Sequence, residues 1–450
     1  MNGNKSVITL IAEFSTGLHL ENLDDNIVHQ AMLCLIDAVE CCLHFQKDSR
    51  VAALDQALPE AMGNCTIWGK NRKVPAREAV FYHVATGSIS GRNDISLEGN
   101  AHPGAVIVPL CLSLGESVNA SGKAVLESIL IGYEILIRLG KCLRTGEARI
   151  PKSLRPTSLA VALASACSSA KLLGLDVHGT ANAAALSCNY LSGLNQWRLS
   201  GTGEDIWINA FAAEHGILCA KLAAAGISAD PHNLDGEFGL LELFHARNNA
   251  LELVKDLSRK WYLPDVLHKR IGACRTLQGP CVLCEQLIRE YTPDLEKIHS
   301  IRITASNELE SSPWYFKTDR ITNSVQAILS IPFGVAATLV AGSPDSIIWQ
   351  PPYDEAVTQL ISRFQIRFSK NYKRDEFDLS IVMADGTDLK QHCKTLPSLT
   401  EQEIICCFYN TIKRTCGEQT ADRITALLPY LESLPTIRAF TTLLAAPSAP

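Results

Sequence analysis

The chain has 450 residues, 47% of them hydrophobic and 20% charged, enough apolar material to bury cores in more than one domain. A net charge of -6, with no Lys/Arg run interleaved with aromatic residues, excludes a surface built to grip nucleic acid. The apolar stretch at 8–14 carries Glu13 and is too short and polar for a signal peptide, and those at 158–175 and 216–227 are interrupted by Lys171 and Lys221, so no membrane span and a cytoplasmic location are expected.

From residue 7 to about 260 the apolar spacing is helical, with short turn signals instead of strands between segments. It predicts helices over 28–45, 53–62, 125–143, 158–173, 180–191 and 208–225, several rich in Ala and suited to close helix packing. Most of the sixteen cysteines, including Cys34, Cys41, Cys42, Cys167, Cys219, Cys406 and Cys407, lie in these or similar patterns and read as reduced, small hydrophobes.

Several chemical motifs are incomplete. Gly201-Thr202-Gly203 lacks the third Gly and preceding strand of a dinucleotide fingerprint, no Walker A sequence occurs, and 87–91 has Ile where a nucleophile elbow needs Ser. His268, Cys274, Cys281 and Cys284 contain one CxxC pair but not a second, so no metal site is assigned and no cofactor is expected.

After residue 269 the pattern changes. Runs 299–304 and 364–369 alternate apolar with polar residues as half-buried strands do, and a third run, 377–383, leads to the hairpin signal Asp385-Gly386. Residues 281–291 read as an amphipathic helix. Helical spacing resumes at Thr400, whose partner Glu403 completes a capping-box signature, and continues over 404–415 and 424–434. These last helices cannot bury their apolar faces alone and are expected to return to the first domain, with the tail 445–450 disordered. The expected fold is mainly α, with a helical domain of 1–268 and 397–446 and an inserted α/β lid of 269–396.

Asn100-Ala101-His102-Pro103-Gly104-Ala105, followed by an apolar helix, resembles an HPSG-like motif of the MmgE/PrpD family, the 2-methylcitrate dehydratase and cis-aconitate decarboxylase group. Arg155-Pro156-Thr157-Ser158, Ala212-Ala213-Glu214-His215-Gly216, Asp235-Gly236-Glu237-Phe238-Gly239 and Ser330-Ile331-Pro332-Phe333-Gly334 continue the resemblance over nearly the whole chain. It implies an active site between the helical domain and the lid, a homodimer, and cofactor-independent elimination of water or carbon dioxide from small carboxylates, or isomerisation of them.

Carried over residue by residue, the resemblance makes His102 the proton-transfer group and Lys269 a cation, with Asp94 and Ser96 matching parts of a DxDDT-like signature. Arg92 stands in place of that signature's first aspartate, and Ile95 in place of its last. Arg155 replaces the histidine of an HPTS-like motif and, being always protonated, cannot be its base. Ser158 completes that motif, Asp205 falls near a substrate-binding lysine, and Phe333 stands where many relatives have Tyr. Arg92 and Arg155 either clamp substrate carboxylates or pair with Asp94, Glu98 or Asp205. Cys274 matches a family cysteine and reads as packing. The expected function is a divergent lyase or isomerase acting on a carboxylated small molecule, with a catalytically silent ligand- or partner-binding homologue and an ordinary 2-methylcitrate dehydratase or cis-aconitate decarboxylase as alternatives.

Overall fold

The apolar spacing of the first half becomes long buried helices in a computed structural model that describes residues 5–46, 48–58 and 62–446. The chain divides into two compact units, each described by itself. The first holds the described residues of 5–195, 204–268 and 400–446, and the second holds 196–203 and 269–399. The loop and short helix at 196–203, left in the helical domain by the sequence reading, thus belong with the α/β segment, where Gly201 packs closely on Asn323 and Gln326.

In the first unit, helices Asp25–His44, Gly104–Val118, Gly122–Cys142, Pro156–Leu172 and Asp205–Ala224 form the core. Ala160, Ala162, Ala166 and Gly216 allow the helices Pro156–Leu172 and Asp205–Ala224 to approach closely; a Cβ at Gly216 would lie 2.5 Å from that of Ser165. Helix Glu401–Cys416 packs on Asp25–His44, and Thr411 donates to the buried Glu40 carboxylate at 2.9 Å. The helix starts at a complete capping box, in which Thr400 and Glu403 bond reciprocally.

The sequence reading missed a short antiparallel ladder in this unit, Cys65–Thr66 with Lys73–Val74. Two-residue strands are too short to establish the alternation that reveals longer ones. The helix expected over 53–62 instead runs Ser49–Ala57; Met62 is exposed, and 59–61 lie outside the described residues. That expected over 424–434 becomes Glu418–Leu427 followed by a 3-10 turn at Leu428–Tyr430, where Pro429 removes a backbone donor. Of the tail read as disordered, 447–450 lie outside the described residues, while the Ala446 amide donates to the Lys70 carbonyl at 3.4 Å.

The second unit carries a four-stranded sheet. Strand Ile298–Ser306 pairs in parallel with Phe364–Ser369 and antiparallel with Phe377–Met383, which pairs in turn with Asp388–Cys393. The Asp385-Gly386 turn joins the last two strands, with Gly386 at φ +90°, a conformation open to Gly because it lacks a Cβ. Strand Asp388–Cys393 was missed because its sequence is almost wholly polar and the sheet leaves it partly exposed. Helices Arg275–Tyr291 and Ile331–Ala341 pack together, and the former also packs against the strands Phe377–Met383 and Asp388–Cys393.

All sixteen cysteines are free thiols, and most are buried. Cys406 departs from the buried reading because it lies on the solvent face of its helix. Among the described residues one helix, Asp25–His44, is long and apolar enough to cross a membrane, and 72% of its apolar window is buried within the protein.

Candidate active site

A tight loop creates the arrangement around His102. Ser96 and Ala101 exchange backbone hydrogen bonds at 2.9 and 3.3 Å, Asn100 turns the chain at φ 49°, and the Ser96 hydroxyl accepts the Gly99 N–H at 3.1 Å. Asn adopts this left-handed conformation more readily than most residues. Pro103 then starts helix Gly104–Val118. Ile95 and Leu267 pair through two backbone bonds of 2.8 and 2.9 Å, which fasten the loop to the segment ending at His268.

This loop brings Asp94, Ser96 and His102 together. The partly buried His102 ring places Nδ1 2.7 Å from the Asp94 carbonyl oxygen. A carbonyl only accepts, so Nδ1–H donates and Nε2 is the basic nitrogen of the neutral ring. The Asp94 carboxylate is fully buried, accepting from the Gly104 amide at 2.9 Å and the Tyr133 hydroxyl at 2.7 Å. Burial raises its pKa to about 6; the positive charge of His268 and the bonds from Tyr133 and Gly104 oppose that rise, whereas Asp37 adds to it.

Arg92 requires a correction. Its guanidinium reaches neither Asp94, Glu98 nor Asp205 as an ion pair, but pairs with Glu40 and, at 3.3 Å, with Asp37. The two carboxylates are three residues apart on helix Asp25–His44 and therefore share a face. Burial alone would raise the Glu40 pKa, but Arg92 and His44 outweigh it and hold Glu40 at about 2. Two internal carboxylates thus hold this arginine.

Arg155 and Asp205 do meet. Arg155 precedes helix Pro156–Leu172, where a positive charge opposes the helix dipole. Its Nη1 donates to the Asp205 carbonyl at 2.9 Å and lies 3.5 Å from the Asp205 carboxylate. The buried Ser158 hydroxyl faces the Arg155 and Ser192 carbonyls at 2.9 and 2.6 Å, so it secures the helix start.

Lys269, Phe333 and Cys274 belong to the second unit. Buried Lys269 donates to the Ala273 carbonyl at 3.3 Å. Phe333 packs against Tyr353 and Trp349, with ring centroids 4.8 and 5.8 Å away, and also borders a cleft with Arg320, Thr322, Pro352 and Tyr353. Burial raises the Cys274 thiol pKa, but the Thr276 N–H and the charges of Arg198 and Lys269 outweigh it and hold the thiol below its ordinary range. The packing role expected of Cys274 overlooked this cationic surrounding, to which Arg198 comes from far away in sequence.

The sequence reading also missed Asp37, Glu40 and Tyr133 and considered His268 only as a metal ligand. Asp37 and Glu40 carried a signal: two acidic residues within the otherwise apolar run 31–43 of that helix need buried partners.

The mainly helical fold and the His102 loop define a protein built around a buried carboxylate and an oriented imidazole. The MmgE/PrpD N-terminal domain family matches residues 9–251, and the chain belongs to the MmgE/PrpD family. It is similar to cis-aconitate decarboxylase of Aspergillus terreus, with 22% identity over 75% of this chain and 73% of the relative. The human cis-aconitate decarboxylase is 21% identical over 99% of this chain and 96% of its own, and the mouse protein 25% identical over 60% and 56%. This kinship supports a lyase-type function.

Proposed function

We propose that the protein is a divergent, cofactor-independent lyase or isomerase acting on a small carboxylated molecule, with His102 transferring the proton. The observation that carries this reading is the bond from His102 Nδ1 to the Asp94 carbonyl, which fixes the ring and makes Nε2 the proton acceptor. Nε2 would take a proton from carbon beside a carboxylate or carbonyl and return it at the same or a neighbouring carbon, completing an isomerisation. In a dehydration, the electron pair left by the C–H bond would form the double bond as the neighbouring C–O bond breaks, the departing hydroxyl taking a proton from the His102 imidazolium and leaving as water. In a decarboxylation, the C–C bond to the carboxylate would break, carbon dioxide would leave, and the carbanion would take a proton from the His102 imidazolium. Asp94 holds the loop, and Ser96 holds its turn through the Gly99 amide.

The relatives' names suggest cis-aconitate as one substrate to test. The Arg155–Asp205 pair favours an altered reaction, because two opposite charges occupy positions that the family resemblance assigns to a histidine and a lysine. The same observation favours a second reading, a homologue that binds an acid without transforming it.

The test incubates wild type and His102→Gln in heavy water with cis-aconitate, 2-methylcitrate and a panel of unsaturated and hydroxylated acids, following products and deuterium uptake by mass spectrometry. Turnover or exchange in wild type, reduced at least 100-fold in the variant, is expected. Acid binding by wild type without exchange or product would replace the lyase reading with the binding one.

A further inference from the structure

Behind the His102 loop, the first unit contains a connected set of buried polar groups. His268 Nδ1 lies 3.1 Å from Asp37 Oδ2, and the other oxygen of Asp37 lies 3.3 Å from the Arg92 guanidinium. The Cys34 thiol interacts with both His268 and Tyr133, and Tyr133 donates to Asp94. His268, Asp37, Cys34, Tyr133 and Asp94 are each at most 4% exposed. The backbone ladder between Ile95 and Leu267 fixes the separation of Asp94 from His268.

We propose that His268 is a positioning residue, an imidazolium held by Asp37 whose charge keeps the buried Asp94 ionised and thereby keeps the His102 loop in its active geometry. The proposal rests on the reading of His102 as the proton-transfer group for its functional consequence, but not for its electrostatics.

Asp94 has environments that pull in opposite directions. An ionised carboxylate away from water needs donors and a compensating charge. Gly104 and Tyr133 supply the donors. Asp37 and Cys34, both on helix Asp25–His44, face the cluster with negative or neutral groups, Arg92 is paired with Glu40 and Asp37, and His268 is the positive charge with the largest effect on Asp94. The pKa of His268 is raised well above its ordinary value: burial alone would lower it, but Asp37 outweighs burial. If His268 became neutral, Asp94 would take up a proton near neutral pH. A protonated Asp94 could not accept from Gly104 and Tyr133 as strongly, and the loop that carries the His102 anchor would lose its hold.

The experiment measures thermal midpoints from about pH 4 to 9 for wild type, Asp94→Asn, His268→Gln and the double variant, with no substrate present. The difference between a protein and its Asp94→Asn counterpart isolates the Asp94 titration. In the His268→Gln background that titration is expected to move up by at least one pH unit, a tenfold change in proton affinity. An unchanged titration, with only a uniform loss of stability, would reduce His268 to a packing residue and overturn the proposal. His268→Asn, a smaller neutral replacement that leaves Asp37 in place, provides the same test should His268→Gln not fold. In wild type alone, an Asp94 titration centred above neutrality would also overturn it. Because these melts need no turnover, an inactive protein that shows the shift would refute the lyase reading and leave this inference standing.

Discussion

The Gly104 amide donates to one oxygen of the Asp94 carboxylate at 2.9 Å, and a Cβ on Gly104 would lie 2.8 Å from the other oxygen. The same Cβ would lie 2.7 Å from the Tyr133 hydroxyl. Gly104 is therefore required by the space that Asp94 and Tyr133 occupy. Ala in a helix gains up to about 1 kcal/mol over Gly. Crowding of two buried polar groups costs more, so Gly104→Ala is expected to lower stability by about 1–3 kcal/mol in urea titrations. It is also expected to reduce any His102-dependent deuterium exchange, since the carboxylate that holds the loop must move.

Much of the fold was legible because long periodic segments announce themselves. Runs 364–369 and 377–383 became strands Phe364–Ser369 and Phe377–Met383, and Thr400 with Glu403 formed the capping box. The neighbourhood of Asp94 was not legible. It draws on Asp37, Tyr133 and His268, which are separated by up to hundreds of residues and carry no shared spacing. Family resemblance pointed to positions on the loop but not to the buried groups behind it, and it offered Arg92 to a ligand where the fold pairs it with Glu40.

Thr400→Ala should be costly despite its exposed position. It removes the acceptor of the Glu403 amide and the hydroxyl that meets the Glu403 carboxylate. A loss of about 1 kcal/mol is expected. Thr400→Ser, which retains the hydroxyl, should recover most of it in the same denaturation assay.

The Arg155–Asp205 pair is partly exposed, with 12% and 19% of the two side chains accessible, so its electrostatic coupling should be small. A double-mutant cycle with Arg155→Met and Asp205→Asn is expected to give less than about 1 kcal/mol. The Arg155 bond to the Asp205 backbone carbonyl survives the Asp205 change. Arg155→Met should therefore be the more damaging single variant.

Glu40 makes the opposite contribution to acid stability from that of Asp94. Its native pKa of about 2 lies below the ordinary carboxylate value because Arg92 and His44 outweigh burial. Its stabilisation is therefore complete above about pH 4.5 and is lost as pH falls toward 2. Asp94, at about 6 in the native state, gains stability on protonation over about pH 6 to 4. Glu40→Gln should remove one of the two carboxylates that Arg92 pairs with and cost about 3–5 kcal/mol at neutral pH, the usual consequence of breaking a buried ion pair. The variant should also lose the steep fall below about pH 4 that Glu40 contributes to wild type, so the two stability curves converge in acid. Urea midpoints at about pH 7, 5 and 3 measure this. A gap that stays constant across all three would mean that Glu40 supports the fold through packing, with its charge contributing nothing.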